Sequence, residues 1–278
     1  MAYVVNSYIP LPGPNNDPDL ANYVTGINDS GTFSGEIMSA AGTTVGYTLS
    51  PGGDFSFPSY PGGSPVGTFA AVGTTDNGVI FGNATEPDTV PFGWVDNNGI
   101  FTALPSGQYG SELTGMNDLG VAVGFNYVGA QGDTQPFQYN IATGAETPIT
   151  IEGLSDVVVT GINNSGQMVG SGSTSTGLRE GFYLDGKGGS ELVHLPGATL
   201  TQPFGLNNTG QIVGEVTDKI DHLHGFLFDL ATNAYTTLDV PNATNTVARG
   251  INDNGQVVGS YTDAQNVTRG FEALIAHT

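Results

Sequence analysis

The chain has 278 residues, among them 43 glycines, 16 prolines and no cysteine, and 26 acidic residues outnumber 5 basic ones for a net charge of -21. The lack of cysteine excludes disulfides, thiolate metal sites and a cysteine nucleophile. The shortage of Lys and Arg argues against a nucleic-acid or anionic-membrane partner, because phosphate binding needs basic residues.

No apolar stretch approaches the length of a membrane span, and the first residues lack the basic and apolar regions of a signal peptide. We therefore expect either a cytosolic protein or one whose leader has been replaced by an initiating Met.

The first predicted element is a strand within residues 1–12, in the segment YVVNSYIPLPG. It resembles YTTLDVP at Tyr235, which is the fourth strand of a repeated unit. The last unit stops at GFEALIAHT without such a strand. We expect the N-terminal strand to fill that place.

One segment recurs six times, at spacings of 42 to 47 residues. Its copies are GINDSGTFSG from Gly26, GTTDNGVIFG from Gly73, GMNDLGVAVG from Gly115, GINNSGQMVG from Gly161, GLNNTGQIVG from Gly205 and GINDNGQVVG from Gly250. Each copy predicts a β-hairpin whose turn is closed by Asn or Asp side chains and whose middle glycine has a positive φ. The carboxylates in these turns are expected to serve the turn, with calcium binding as the weaker alternative; they belong to Asp29, Asp76, Asp118 and Asp253.

Two further strands follow each hairpin. The third begins with Gly or Pro before an aromatic residue, as at Gly225 and Phe226, and the fourth is seen in ELVHLPG at Glu191. Four short antiparallel strands per unit predict an all-β fold, a six-bladed β-propeller over a single domain of residues 1–278. The N-terminal strand joins the C-terminal blade and closes the ring, because an open array would leave exposed strand edges.

The GINDxGQVVG core followed by HGFLF, at His224–Phe228, resembles the HAF repeat of extracellular bacterial proteins. The resemblance covers essentially the whole chain and is best in unit five. Unit two departs from it at Thr74–Thr75, and unit one departs at Val45–Tyr47. The resemblance implies an exported bacterial protein, extracellular or periplasmic, without a catalytic residue set to carry over.

The strand that leads into each repeated turn is predicted to be innermost, with its first glycine packed beside the axis. The loops at the opposite end from the repeated turns, on what we call the top face, differ in length and content. Loops on a rigid scaffold are where function concentrates, so we place the site there.

Four of the five basic residues map to top loops or inner strands of units four to six. They either neutralise neighbouring carboxylates such as Glu180, Asp218, Asp221 and Asp263, or hold an anionic ligand. Arg249 with Arg269 would suit a carboxylate or phosphate. The candidate ligand-binding residues are Arg179, Lys219, Arg249, Arg269, Tyr109 and Tyr127.

The run Asp218–His224 is the weak candidate for a metal site. Histidines two apart on a strand point the same way, so His222 and His224 would share a metal with Asp218 or Asp221. His224 also stands where the HAF repeat carries histidine, which favours packing. We expect no cofactor, with calcium as the weaker alternative.

The sequence leaves three functions open. The first is an extracellular ligand-binding or adhesion propeller with one top-face site near the axis, for a glycan or a small anion, with Trp94, Tyr109 and Tyr127 as stacking platforms. The alternative is a hydrolase, lyase or isomerase in which His222 or Glu180 transfers protons. The third is a structural repeat without a small-molecule site. We expect a monomer in each case.

Overall fold

The structure is a computed structural model that describes residues 3–11, 21–38, 44–58, 68–86, 89–129, 133–195, 197–220 and 222–277. These residues form 24 β-strands, numbered β1 to β24 in chain order. Within the described ranges, no helix has the length and apolar character that crossing a membrane would need.

Three sheets each contain four antiparallel strands that are neighbours in the chain. Their strands are β10 (Ser111–Met116), β11 (Val121–Tyr127), β12 (Thr134–Asn140) and β13 (Ala145–Pro148); β14 (Ser155–Ile162), β15 (Met168–Ser173), β16 (Arg179–Leu184) and β17 (Ser190–Val193); β18 (Leu200–Leu206), β19 (Gln211–Thr217), β20 (Leu223–Asp229) and β21 (Ala234–Leu238).

Units one and two share one eight-stranded sheet, because β4 and β6 are parallel neighbours that meet at Val45 and Phe69. Its strands are β2 (Ala21–Ile27), β3 (Phe33–Met38), β4 (Thr44–Leu49), β5 (Phe55–Ser56), β6 (Thr68–Thr74), β7 (Ile80–Thr85), β8 (Phe92–Asn97) and β9 (Ile100–Ala103).

The remaining sheet contains strands from both ends of the sequence, in the order β1-β24-β23-β22. The N-terminal strand lies antiparallel to the C-terminal one, with Tyr3 opposite His277 and Leu11 opposite Gly270. Residues 3–11 thus pair with the last strand of the chain that the structure describes. The strands are β1 (Tyr3–Leu11), β22 (Asn245–Ile251), β23 (Gln256–Thr262) and β24 (Thr268–His277).

The repeated turns have the predicted geometry. In unit one, Asn28 Oδ1 accepts the Thr32 backbone N–H at 2.9 Å, and the Gly31 N–H donates to the Asn28 carbonyl at 3.0 Å. A positive φ is needed at the middle glycine, and all six have one between 74° and 83°, which confirms that prediction. These glycines are Gly31, Gly78, Gly120, Gly166, Gly210 and Gly255.

Neighbouring turns are joined by hydrogen bonds from a backbone N–H to the next turn's carboxylate or amide oxygen. The six bonds are 2.6 to 3.0 Å long and return to their starting point. Each N–H belongs to the residue after the first Asn or Thr of a turn, and we call this cycle the turn ring. Its members, in order, are Asp29, Asp76, Asp118, Asn164, Asn208 and Asp253.

The hydrophobic core lies between the sheets, and its largest side chains come from the third strand of each unit. Every one of these aromatic residues is at most 4% exposed: Tyr47, Trp94, Phe137, Phe182, Phe226 and Phe271. Trp94 is completely buried and stacks on Phe69 with ring centroids 4.6 Å apart. The prediction that Trp94 is a stacking platform for a ligand is therefore wrong, since the repeat places its ring in the core.

The turn ring predicts a pH-dependent stability. Burial raises the pKa of Asp76 to about 6, and the negative charges of Asp118 and Asp29 add to this effect. The folded protein therefore loses stability as pH rises from about 4 through 6, because Asp76 ionises at a cost. We expect Asp76→Asn, which keeps the accepting oxygen, to stabilise the protein by about 1 kcal/mol at pH 8 after allowance for solvent screening.

This gain corresponds to a Tm increase of about 2 to 4 °C, measured by calorimetry between pH 4 and 8. Asn208→Asp is the matched control and is expected to act in the opposite direction, because it places a new carboxylate beside Asp253. An Asp76→Asn variant that is equally stable or less stable at pH 8 would show that the charges in the ring are screened.

Candidate functional site

The inner strands β2, β6, β10, β14, β18 and β22 alternate between fully buried and partly exposed residues. The fully buried residues face the cores between sheets, so the partly exposed ones lie toward the common axis. At the repeated-turn end, the last residue of each inner strand lines a small cavity of about 100 Å³, and four of these six side chains are also buried in the cores between sheets: Ile27, Thr74, Met116, Ile162, Leu206 and Ile251. The next axis-facing residues toward the top face carry the candidate site.

Arg249 lies on β22, directly before the glycine of its repeat. Its guanidinium carbon is 4.8 Å from the centroid of the Phe204 ring, within the range of a cation–π contact. Within the described part of the chain, the Arg249 guanidinium has no hydrogen-bond acceptor in contact. Its five N–H donors are therefore available to a ligand or to water.

Two carboxylates lie close enough to Arg249 for its charge to affect them. Glu36 is opposite Tyr23 in the β2–β3 pair, and Glu215 is opposite Gln202 in the β18–β19 pair. Burial raises the pKa of both glutamates, and the positive charge of Arg249 works in the opposite direction. The site thus holds two partly desolvated carboxylates that both feel the charge of one arginine.

Gln202 connects this group to a second arginine. With its amide oxygen facing Arg179, Gln202 Nε2 donates to Glu215 at 2.8 Å and Oε1 accepts from Arg179 Nε at 3.0 Å. Arg179 Nε also lies 3.0 Å from the Ser171 hydroxyl. We call Glu36, Arg179, Gln202, Glu215 and Arg249 the axial site.

Tyr127 is part of a separate pair in unit three. Its hydroxyl donates to the Glu112 carboxylate at 2.8 Å, and Glu112 lies on the inner strand β10. Burial raises the pKa of Tyr127 to about 12, and the hydrogen bond to Glu112 and the charge of Glu112 add to this effect. Tyr127 stays protonated and acts as a donor at neutral pH.

The other predicted ligand-binding residues lie elsewhere. Arg269 forms an ion pair with Asp263, with 2.6 Å between Nε and Oδ2, which is the salt bridge that the sequence left open as the alternative. Lys219 is exposed in the turn between β19 and β20, and Tyr109 is 39% exposed in a loop before β10. Glu180, the predicted proton-transfer residue, follows Arg179 on β16 and so points to the opposite face of that strand.

His224 has a carboxylate at each ring nitrogen. Nδ1 is 2.8 Å from Asp239 and Nε2 is 3.3 Å from Asp218. Burial lowers the pKa of His224, but the hydrogen bonds and charges of Asp239 and Asp218 outweigh it and raise the pKa above 6.5. The side chain is therefore engaged in ion pairs rather than presented to a metal.

His222 is exposed, and its backbone N–H donates to Asp218 Oδ1 at 3.0 Å. Asp221, the other predicted ligand, lies outside the described residues. Among the residues that are described, no group of three His, Cys, Asp or Glu side chains has the geometry to hold a metal ion.

His224 supplies a prediction of its own. A raised folded-state pKa means that its stabilising effect is complete below pH 6.5 and is lost as pH rises through the folded pKa. We expect His224→Gln to be less stable than the native protein by about 1 kcal/mol at pH 5.5 and by much less at pH 8.5. Urea unfolding at both pH values measures this, with the exposed His222→Gln as the control; equal losses at the two pH values would contradict it.

Three members of the axial site, Glu36, Gln202 and Glu215, are absent from the sequence-based candidates. The repeat contains a signal that identifies the two glutamates: the residue after the last glycine of each segment varies between units, whereas the glycine before it is constant. At this position the six units carry Glu36, Asn83, Phe125, Ser171, Glu215 and Ser260.

No family profile matches the chain, and no curated protein does so. Several solved structures do. A lectin from Aleuria aurantia, solved with Fucα1-6GlcNAc, matches 92% of this chain and 95% of its own at 10% identity and a TM-score of 0.53. Another structure of that lectin is described as a six-bladed β-propeller with a novel fucose recognition mode.

AofleA from Arthrobotrys oligospora matches 97% of this chain and 86% of its own at 15% identity and a TM-score of 0.55. TolB from Acinetobacter baumannii matches 95% of this chain and 65% of its own at 13% identity and a TM-score of 0.59. At such low identities these similarities establish the β-propeller fold alone.

Proposed function

We propose that this chain is a glycan-binding β-propeller with one binding site at its axis, open to the top face. The observation that carries the proposal is the axial site itself. Arg249 offers free donors between the Glu36 and Glu215 carboxylates, which are acceptors. Neighbouring hydroxyl groups of a sugar act as donor and acceptor at once, and a site with both kinds of partner side by side suits them.

The scaffold we propose for this site has six blades and is closed by β1. The support is the turn ring, which passes through all six repeated turns, and the antiparallel pairing of β1 with β24. With six blades around one axis, Glu36, Glu215 and Arg249 come from blades one, five and six, which are consecutive. One axial site, rather than one site per blade, follows from the differences between units at these positions.

A small anion is the less suitable ligand. Arg249 shares its surroundings with two carboxylates, and Arg269, the other half of the predicted anion site, is paired with Asp263. An anion in the axial site would approach Glu36 and Glu215 as well as Arg249. Electrostatics thus favour a neutral, hydroxyl-rich ligand.

A second candidate is an enzyme at the same site, acting on the bound glycan. Its support is the raised pKa of Glu36 and Glu215, since a carboxyl with a raised pKa is suited to general acid catalysis. These glutamates would replace His222 and Glu180 as proton-transfer groups. Release of new reducing ends from a bound glycan, lost in Glu36→Gln or Glu215→Gln, would identify this activity.

We also propose a monomer exported to the periplasm or cell exterior. The support is the resemblance of unit five to the HAF repeat, which centres on the segment from His224 to Phe228.

The test of the binding proposal is a glycan array probed with labelled native protein and with Arg249→Ala. We expect a set of neutral glycans to bind, and Arg249→Ala to lower their affinity at least about tenfold, because hydrogen bonds from a charged donor are lost. Arg269→Ala is the control, since it removes an arginine of the same unit from an ion pair outside the axial site.

Arg269→Ala is expected to bind as the native protein does. Loss of binding in Arg269→Ala with retention in Arg249→Ala would move the site away from the axis. Absence of binding to every glycan would overturn the proposed function.

A further inference from the structure

The axial site lies above a constriction. The first glycines of neighbouring repeats are so close that a Cβ built on Gly250 would lie 3.0 Å from the Gly26 Cα, and one on Gly205 would lie 3.2 Å from the Gly250 Cα. Such distances are shorter than ordinary van der Waals contacts. Any side chain larger than hydrogen would therefore force the inner strands apart at this level.

Hydrogen bonds between units hold the inner strands close together at the level of these glycines. Thr25 Oγ1 donates to the Ala71 carbonyl at 3.0 Å, and Thr160 Oγ1 donates to the Pro203 carbonyl at 2.8 Å. Thr114 makes the corresponding bond to Val159. Each bond ties the side chain of one inner strand to the backbone of the next, so the strands cannot separate without breaking it.

Below the glycines lies the 100 Å³ cavity, which is lined by the last side chains of the inner strands and by the Asn, Thr and Asp side chains of the repeated turns. Asn side chains add a second set of bonds between turns, such as Asn163 Nδ2 to the Asn207 carbonyl at 3.1 Å and Asn252 Nδ2 to the Asn28 carbonyl at 3.0 Å. The repeated-turn end of the axis is therefore narrow and tied together.

Arg249 and Phe204 stand directly before the glycines of their repeats, so they form the floor of the space that opens to the top face. Glu36, Gln202 and Glu215 lie one level higher, on its wall, as their register with the inner strands shows. The two arginines of the axial site are matched in number by its two glutamates. The space is thus a cup with one opening and balanced charges.

We propose that the axial site binds the terminal residue of a neutral glycan, end-on, and does not accept internal residues of a continuous or cyclic chain. The inference rests on the proposed glycan-binding function and specifies its ligand. An internal residue continues in two directions, and a cup with one opening gives an exit to only one of them. A terminal residue leaves through the mouth.

The experiment uses the full chain on an array of linear oligosaccharides in which the same sugars occur at the terminus of some glycans and only internally in others. We expect all bound glycans to share a neutral terminal residue, and enzymatic removal of that residue to reduce binding at least tenfold. The methyl glycoside of the shared residue should compete. Linear maltoheptaose and β-cyclodextrin, which has no terminus, form a further matched pair, of which the cyclic member should not bind.

Two variants test whether the glycan binds inside the cup. Val247→Trp puts a large ring on the axis-facing side of β22 and should abolish binding while leaving Tm within a few degrees of the native value. Glu215→Gln is a smaller change for use if the first variant does not fold; it should lower affinity for the neutral terminus about tenfold or more. Tyr109→Ala, in a top-face loop, is the control and should bind normally.

The outcomes separate the two proposals. Glycans that bind through a shared internal sequence, or measurable binding of β-cyclodextrin, would overturn the end-on cup while leaving glycan binding intact. Undiminished binding in both Val247→Trp and Glu215→Gln would also overturn it. An array without any bound glycan would overturn the proposed function and this inference together.

Discussion

The hydrogen bonds between neighbouring repeated turns are the contacts on which the rest of the molecule depends. Each turn uses its first Asn twice: the side-chain oxygen closes its own turn, and the amide nitrogen in most units reaches the next. One residue type thus links local structure to the arrangement of the sheets. Unit two lacks the bond from this amide nitrogen, because Thr75 stands in place of the Asn. Asn77 Nδ2 donates to the Asp118 carbonyl at 2.9 Å instead.

Because these shared turn contacts hold the six units together, residues elsewhere in each unit are able to differ, and a binding site built from them is asymmetric. The positions that hold the units together, the turn Asn residues and the inner glycines, are nearly the same in every unit. The residues directly before the inner glycines vary more. Three are threonines that bond to the next unit, Thr25, Thr114 and Thr160, and the others are Val72, Phe204 and Arg249. Arg249 is the one charged member of this set, and the glutamates that balance it come from second strands.

Sequence reasoning predicted the elements whose causes are local. The positive φ of Gly255 and the turn closed by Asn252 each follow from a few neighbouring residues. Arg249 was identified through its charge and its inner strand. Glu36 and Gln202 were missed because their proximity depends on how sheets distant in sequence meet at the axis. Trp94 was misplaced, since an aromatic ring alone does not reveal whether it faces a loop or a core.

The pairing of β1 with β24 also has a consequence for biosynthesis. Of the 24 strands described, a ribosome makes β1 first and β24 last, so β1 lacks this partner while the intervening sheets form. Once β24 has been made, its edge and the whole of β1 are both open backbone until they meet, and contacts this distant in sequence form slowly. An unpaired strand edge is where chains aggregate. Formation of the final sheet is accordingly the stage at which a nascent chain pairs most readily with a neighbouring copy.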